Sequence, residues 1–162
     1  MKHSDKNLPL ILAALVCAVS LIVMVLALAT PQQPRPEFTP PPFEVNAVSG
    51  IPNVPENLGW TPLNTPNFSA SVCGNIVPMG NTADIWLYNS EDNTVWLKLR
   101  ILDESGQILG ETGILKPGEY VQSVFLAYTP DVGTQIILKL MSYTPQTYHS
   151  EGAVALRTEI AG

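Results

Sequence analysis

Thr94-Val95-Trp96-Leu97-Lys98-Leu99-Arg100-Ile101-Leu102 is the stretch whose reading decides the fold. Val95, Leu97, Leu99 and Ile101 fall on one side of a period-two alternation, and Trp96, Lys98 and Arg100 fall on the other. Successive side chains of a β-strand point to opposite faces, so this run reads as a strand with one face in a core and one face wet. Alternation of that kind belongs to antiparallel sheets, since parallel sheets are covered on both sides.

The neighbouring sequence repeats the pattern at short intervals. Phe68 to Cys73, Ala83 to Tyr88, Ile108 to Leu115 (broken at Gly110 or Gly113), Tyr120 to Leu126, Thr134 to Tyr143 and Ala153 to Ile160 are further β-rich runs bounded by turn residues. In the last of them Val154, Leu156 and Ile160 oppose Ala155, Arg157 and Glu159. Asp103-Glu104-Ser105-Gly106 closes a hairpin, and Lys116-Pro117-Gly118-Glu119 places Pro and Gly where a type II turn needs a fixed and a positive φ. With the opening stretch these make seven strands, and the expectation is an all-β, antiparallel sandwich over residues 67–162. Outside the N-terminal region no long helix and no internal repeat is expected.

The residues Asn89, Asn93, Val95 to Leu102, Asp103, Gly106, Ile108-Leu109-Gly110, Leu115 and Pro117-Gly118-Glu119 follow an order that resembles small immunoglobulin-like domains of bacterial surface proteins. The arrangement of apolar N-terminal run, proline-rich stretch and β-domain is also similar to membrane-anchored proteins of Firmicutes. The resemblance implies an immunoglobulin-like sandwich and a surface location, and it transfers no catalytic residue.

Leu8 to Ala29 carries no charge and consists almost wholly of Leu, Ile, Val and Ala. As a helix at about 1.5 Å per residue it just crosses a hydrocarbon core of roughly 30 Å. Pro9 lies in its first turn, where a missing N–H costs little. Lys2 and Lys6 precede it, and only Arg35 and Glu37 follow closely, so a cytoplasmic tail (1–7), a membrane helix (8–30) and an extracytoplasmic remainder are expected. The alternative is a signal peptide cleaved near Ala29, after the small-x-small Ala27-Leu28-Ala29. Cys17 sits within the run, with apolar residues on both sides, and reads as a small apolar residue of the helix.

Ten of the fifteen prolines lie between Pro31 and Pro66, so residues 31–66 read as a spacer reaching up to roughly 110 Å at about 3.1 Å per residue. The alternative for its later half, Ile51 to Trp60, is packing on the domain, because Trp60 is wasted in a solvated linker. Roughly one hundred residues then remain, enough for one core.

From Pro31 onward six Lys and Arg face thirteen Asp and Glu, which argues against nucleic acid as a partner. Cys73 is the single cysteine outside the apolar run, so no intramolecular disulfide braces the domain, and a buried free thiol is expected.

Chemistry-bearing motifs are sparse. His149 in Thr147-Tyr148-His149-Ser150-Glu151 is the histidine available to a hydrolase outside the tail, and no Gly-x-Ser-x-Gly elbow accompanies it. No metal site and no cofactor are expected. Ser90-Glu91-Asp92-Asn93 reads as a polar loop, and Asn67-Phe68-Ser69 as a chance glycosylation triplet. What remains is a binding surface. If Ala83 to Tyr88 and Thr94 to Leu102 pair as a hairpin, Trp86, Tyr88, Trp96, Lys98 and Arg100 share one wet sheet, though packing of the tryptophans under neighbouring side chains is the favoured alternative; Tyr148 and His149 form a second polar-aromatic group or a sandwich-end loop. Such a surface suits another envelope protein or a second copy; the alternative is a glycan stacked on the aromatic rings. The expectation is a non-enzymatic, membrane-anchored interaction or structural protein of the cell envelope.

Overall fold

The computed structural model describes residues 8–29 and 38–162. The cytoplasmic-tail reading of residues 1–7, the last residue of the membrane-helix reading (30) and the first part of the spacer (31–37) lie outside the described residues. Two compact units divide the chain, ending and beginning at Thr39 and Pro40.

In the first unit, α1 runs Leu8–Ala29, 22 residues without an acidic first turn or a basic last turn. The part whose side chains are described, residues 11–26, is exposed throughout. Among the described residues no helix is long and apolar enough to cross a membrane. The backbone helix as a whole keeps its 22 residues. Ser20 satisfies its hydroxyl within the helix by donating to the Val16 carbonyl at 2.9 Å.

The second unit is all-β. Its strands are β1 (Val48–Ser49), β2 (Trp60–Asn64), β3 (Ser69–Cys73), β4 (Val77–Met79), β5 (Thr82–Asn89), β6 (Trp96–Asp103), β7 (Ile108–Glu111), β8 (Glu119–Phe125), β9 (Gln135–Tyr143) and β10 (Ser150–Glu159). All seven expected strands are present. Three short ones are added, two of them, β1 and β2, inside the stretch read as spacer. Sheet I has the order β1-β8-β5-β3-β2 with β4 on β5, and sheet II has the order β10-β9-β6-β7. All strand pairs are antiparallel.

One core serves both sheets. Ala83, Ile85 and Leu87 from β5 and Leu97, Leu99 and Ile101 from β6 are fully buried, joined by Leu138 and Leu140 of β9 and Val121 of β8. The alternation of β6 thus does what its spacing dictates, sending its odd positions inward. The turns follow their chemistry too. Gly118 has φ +77, with the Glu119 N–H donating to the Lys116 carbonyl at 3.1 Å. Gly106 has φ +84, and the Asp103 carboxylate accepts the Gln107 N–H at 2.9 Å across the β6–β7 hairpin.

The hairpin expected between β5 and β6 does not form. β5 pairs with β3, β4 and β8 in sheet I, and β6 with β7 and β9 in sheet II. The chain crosses between layers through residues 90–95, and Asn89 is the reason. Its side chain is fully buried and donates to the carbonyls of Val95 (3.1 Å) and Leu115 (3.0 Å), while its oxygen accepts from Asn93 Nδ2 at 2.6 Å. Asn93 also bonds both backbone groups of Ser69, at 2.9 and 2.6 Å. A buried amide with its groups satisfied in this way fixes the crossing; the Ser90 to Asn93 loop is a structural brace.

The stretch read as spacer joins the domain well before residue 67. The Ile114 N–H donates to Pro42 O and the Glu44 N–H to Ile114 O, both at 2.9 Å, so Phe43 forms a parallel bridge with Ile114. The Glu44 carboxylate accepts the N–H groups of Gly113 (2.7 Å) and Asn46 (3.0 Å). A few residues on, β1 pairs with β8 of the other sheet. Leu58 is buried in the core, and Trp60 packs against it, which is the alternative that the wasted tryptophan suggested.

Candidate functional site

The expected aromatic residues separate onto different sheets. Trp86 and Tyr88 belong to β5 of sheet I, and Trp96, Lys98 and Arg100 to β6 of sheet II.

On sheet I the aromatics are packing. Tyr88 is buried, and Trp86 is half-buried against the core. Trp86 stands at a bulge where the β5–β8 register shifts between Asp84 and Leu87, and its φ is +44. Its indole stacks on Tyr120 at 6.1 Å, and its buried Nε1 has no hydrogen-bond partner among the described residues. Its carbonyl accepts the Trp60 indole N–H at 2.8 Å. β3 pairs with β5 at Ala70 and Ser71, and β4 pairs with it again from Val77, so Trp60 fills the gap between those pairings. A ring wedged in this way is not a platform for a ligand.

On sheet II the expected residues do come together. The inward positions of β6 are buried, so Trp96, Lys98 and Arg100 line the outer face, opposite Tyr143, Met141 and Lys139 of β9. Trp96 is flanked edge-to-face by Phe43 (centroids 4.9 Å apart) and Tyr148 (5.3 Å). Lys116 stands 4.7 Å over the Phe43 ring. Tyr148 is presented by the β9–β10 connection, where Gln146 (φ +64) and Tyr148 (φ +56) adopt the left-handed region without being glycine. That connection is held by Tyr148 N to Thr144 O (3.0 Å) and Thr144 N to His149 O (2.8 Å). His149 itself is exposed, and the neighbouring Glu151 carboxylate accepts from the Thr144 hydroxyl.

Lys98 is buried to 4 % exposure although it lies on the outer face. Glu111 compensates it, accepting Lys98 Nζ at 2.9 Å on one oxygen and Arg100 Nε at 2.7 Å on the other. Burial raises the Glu111 pKa, but the hydrogen bonds and charges of Lys98 and Arg100 outweigh that and leave it below the ordinary value. Farther along the strands, Lys139 lies directly opposite Arg100 and Arg157 directly opposite Ile137. A shallow hollow of about 210 Å³ borders Arg157, lined also by Glu104, Gln135, Ile136 and Ile137.

Sequence reasoning missed Phe43, Glu111, Lys116, Lys139 and Arg157 as members of this face. Phe43 carried a signal, an aromatic side chain directly after Pro40-Pro41-Pro42. The others become neighbours only once register is known. Cys73 is the buried free thiol expected, pushed up to about 12 first by burial and then by the nearby Asp84 charge. Among the described residues no three His, Cys, Asp or Glu side chains group as a metal site.

Fold and face together define an all-β unit of two antiparallel sheets on one core, with one aromatic and cationic outer face. No family model, curated protein or solved structure matches the chain.

Proposed function

We propose that this chain is a non-enzymatic, single-pass protein of the bacterial cell envelope that works by contact. In this reading α1 crosses the cytoplasmic membrane with the N-terminus inside, and the β unit stands outside as an immunoglobulin-like sandwich whose sheet II outer face engages another protein. At 22 residues and about 1.5 Å per residue, α1 would be about 33 Å long, which matches a hydrocarbon core. The strand order supports the immunoglobulin-like reading: β3-β5-β8 facing β7-β6-β9-β10 follows A-B-E facing C′-C-F-G. β1 takes the edge beside E that strand D would hold, and β2 and β4 are additions.

The observation that carries the contact reading is the cluster of Phe43, Trp96 and Tyr148 beside Lys98, Arg100 and Lys116. Aromatic and guanidinium groups are the side chains that dominate protein interfaces. Stacking on a glycan needs an open ring face, and Trp96 has a ring on each of two sides, so the protein partner is the stronger reading. Pull-down from solubilised membranes with the wild-type chain and with Tyr148→Ala tests it. A partner retained by the wild type and lost in the variant supports the reading; no partner for either, or equal recovery by both, overturns it. A shift of tryptophan emission on titration with wall glycans would favour the glycan instead.

A further inference from the structure

Between Pro40 and Gly162 the chain holds five cationic side chains, Lys98, Arg100, Lys116, Lys139 and Arg157, and twelve carboxylates. The cations are not dispersed. Lys98, Arg100, Lys139 and Arg157 occupy outward positions of β6, β9 and β10 in sheet II, and Lys116 stands over the Phe43 ring beside them. Glu111, Glu151 and Glu159 are the exposed glutamates on the strands of sheet II, Glu104 lines the hollow beside Arg157, and the Glu159 carboxylate is bonded by Gln135 Nε2 at 3.3 Å. Asp84 on β5 and Glu91 and Asp92 on the β5–β6 crossing belong to the rest of the unit, and none of the three forms an ion pair among the described residues.

Stability does not account for this placement. Arg100 and Lys139 are directly opposed across β6 and β9, and like charges so placed repel. Glu111 relieves Lys98 and Arg100, whereas Lys139 and Arg157 are exposed and form no ion pair among the described residues. An acidic unit has thus collected all its positive charge on one face, two cations of which remain free to meet carboxylates from outside.

We infer that this face docks onto the acidic surface of a second copy of the same chain. The charge complementarity lies within one sequence, since Asp84, Glu91 and Asp92 lie off sheet II and form no ion pair among the described residues. The contact joins unlike surfaces, so it is heterologous and builds rings or open rows rather than a symmetric pair. This inference rests on the contact reading of sheet II above and names its occupant.

The test uses the full chain in detergent, as an equal mixture of normal and heavy-isotope copies, treated with a carbodiimide that couples only touching carboxylates and amines. Mixed-isotope links from Lys139 or Lys116 to carboxylates outside sheet II are expected. They should fall at least about tenfold when NaCl is raised from about 50 to about 500 mM, where the screening length shrinks to a few ångströms. They should also be lost in Lys139→Gln and in Arg157→Glu. Lys139→Gln removes an exposed, repelled charge, so its thermal midpoint should stay level or rise, which separates loss of contact from loss of fold. Absence of mixed links in the wild type, or links that persist in high salt or in both variants, overturns the inference. If a foreign protein is captured through Tyr148 while no mixed links form, the occupant is wrong and the contact reading stands.

Discussion

Asn89 shows how much one side chain can decide. Its amide spans the two sheets through Val95 and Leu115 and is fully buried. In Asn89→Ala those carbonyls and Asn93 lose their partner in a dry site, and about 2–4 kcal/mol of unfolding free energy should be lost. Urea titration measures this, and a loss below about 0.5 kcal/mol would mean that water replaces the amide. Glu111 is the second such residue. Its pKa is depressed in the fold, so the pair contributes fully above the unfolded carboxylate value of about 4.3 and is lost as pH falls through the lower folded value. Glu111→Gln should cost about 1–2 kcal/mol at neutral pH, less than a fully buried pair because Glu111 is 39 % exposed. The difference between wild type and variant should close below pH 4. A constant difference down to pH 2 would show that the pairing does not set it.

Among elements, the strap formed by residues 42–46 is the one whose attachment a single atom controls. A Cβ on Gly113 would stand 2.5 Å from Glu44 N and 2.7 Å from Phe43 C, backbone atoms that cannot give way cheaply. Gly113→Ala should therefore lift the strap from the Gly113–Ile114 segment, cost about 1–3 kcal/mol and lower the thermal midpoint by roughly 4 °C or more. Hydrogen exchange locates the effect: the amides of Glu44 and Ile114 should exchange faster, while those of β9 and β10 stay protected. Unchanged exchange at Ile114 would show that the strap accommodates the methyl group. The same element marks what the sequence could and could not convey. Period-two alternation and turn chemistry exposed the seven longer strands, because those signals are local. β1 has two residues, and β2 and β4 contain Pro62 and Pro78, so none carries enough alternation to be read, yet proline is tolerated in short edge strands. The assignment of β5 and β6 to different sheets was hidden for another reason. The five residues between Asn89 and Val95 serve a hairpin or a crossing equally well, and the deciding bonds reach from Asn89 to Leu115. Hence Trp96, Lys98 and Arg100 were legible as one face, Tyr148 was read as a separate group although it packs on Trp96, and Trp86 and Tyr88, which a hairpin would place beside them, belong to the other sheet.

At the scale of the whole molecule, its two cysteines report on its two units. Cys73 is fully buried with its pKa raised to about 12, so at pH 8 only about one thiol in ten thousand is ionised, and a maleimide reaches it when the β unit opens. Cys17 belongs to α1 and disappears from the mature chain if cleavage occurs near Ala29. Thiols counted in denatured chains purified from membranes should therefore number two with the anchor retained and one after cleavage. In intact vesicles, an aqueous maleimide should label neither: lipid shields Cys17 within a spanning α1, and the core shields Cys73. Guanidinium added to detergent-solubilised chain should release Cys73 along the unfolding curve of the β unit, while Cys17 labels independently of that curve. Rapid labelling of Cys17 in intact vesicles would overturn the spanning helix without touching the sandwich. Labelling of Cys73 before unfolding would overturn the packing of β3 against its neighbours. The two arms thus test the anchor and the fold separately, in one chain and with one reagent.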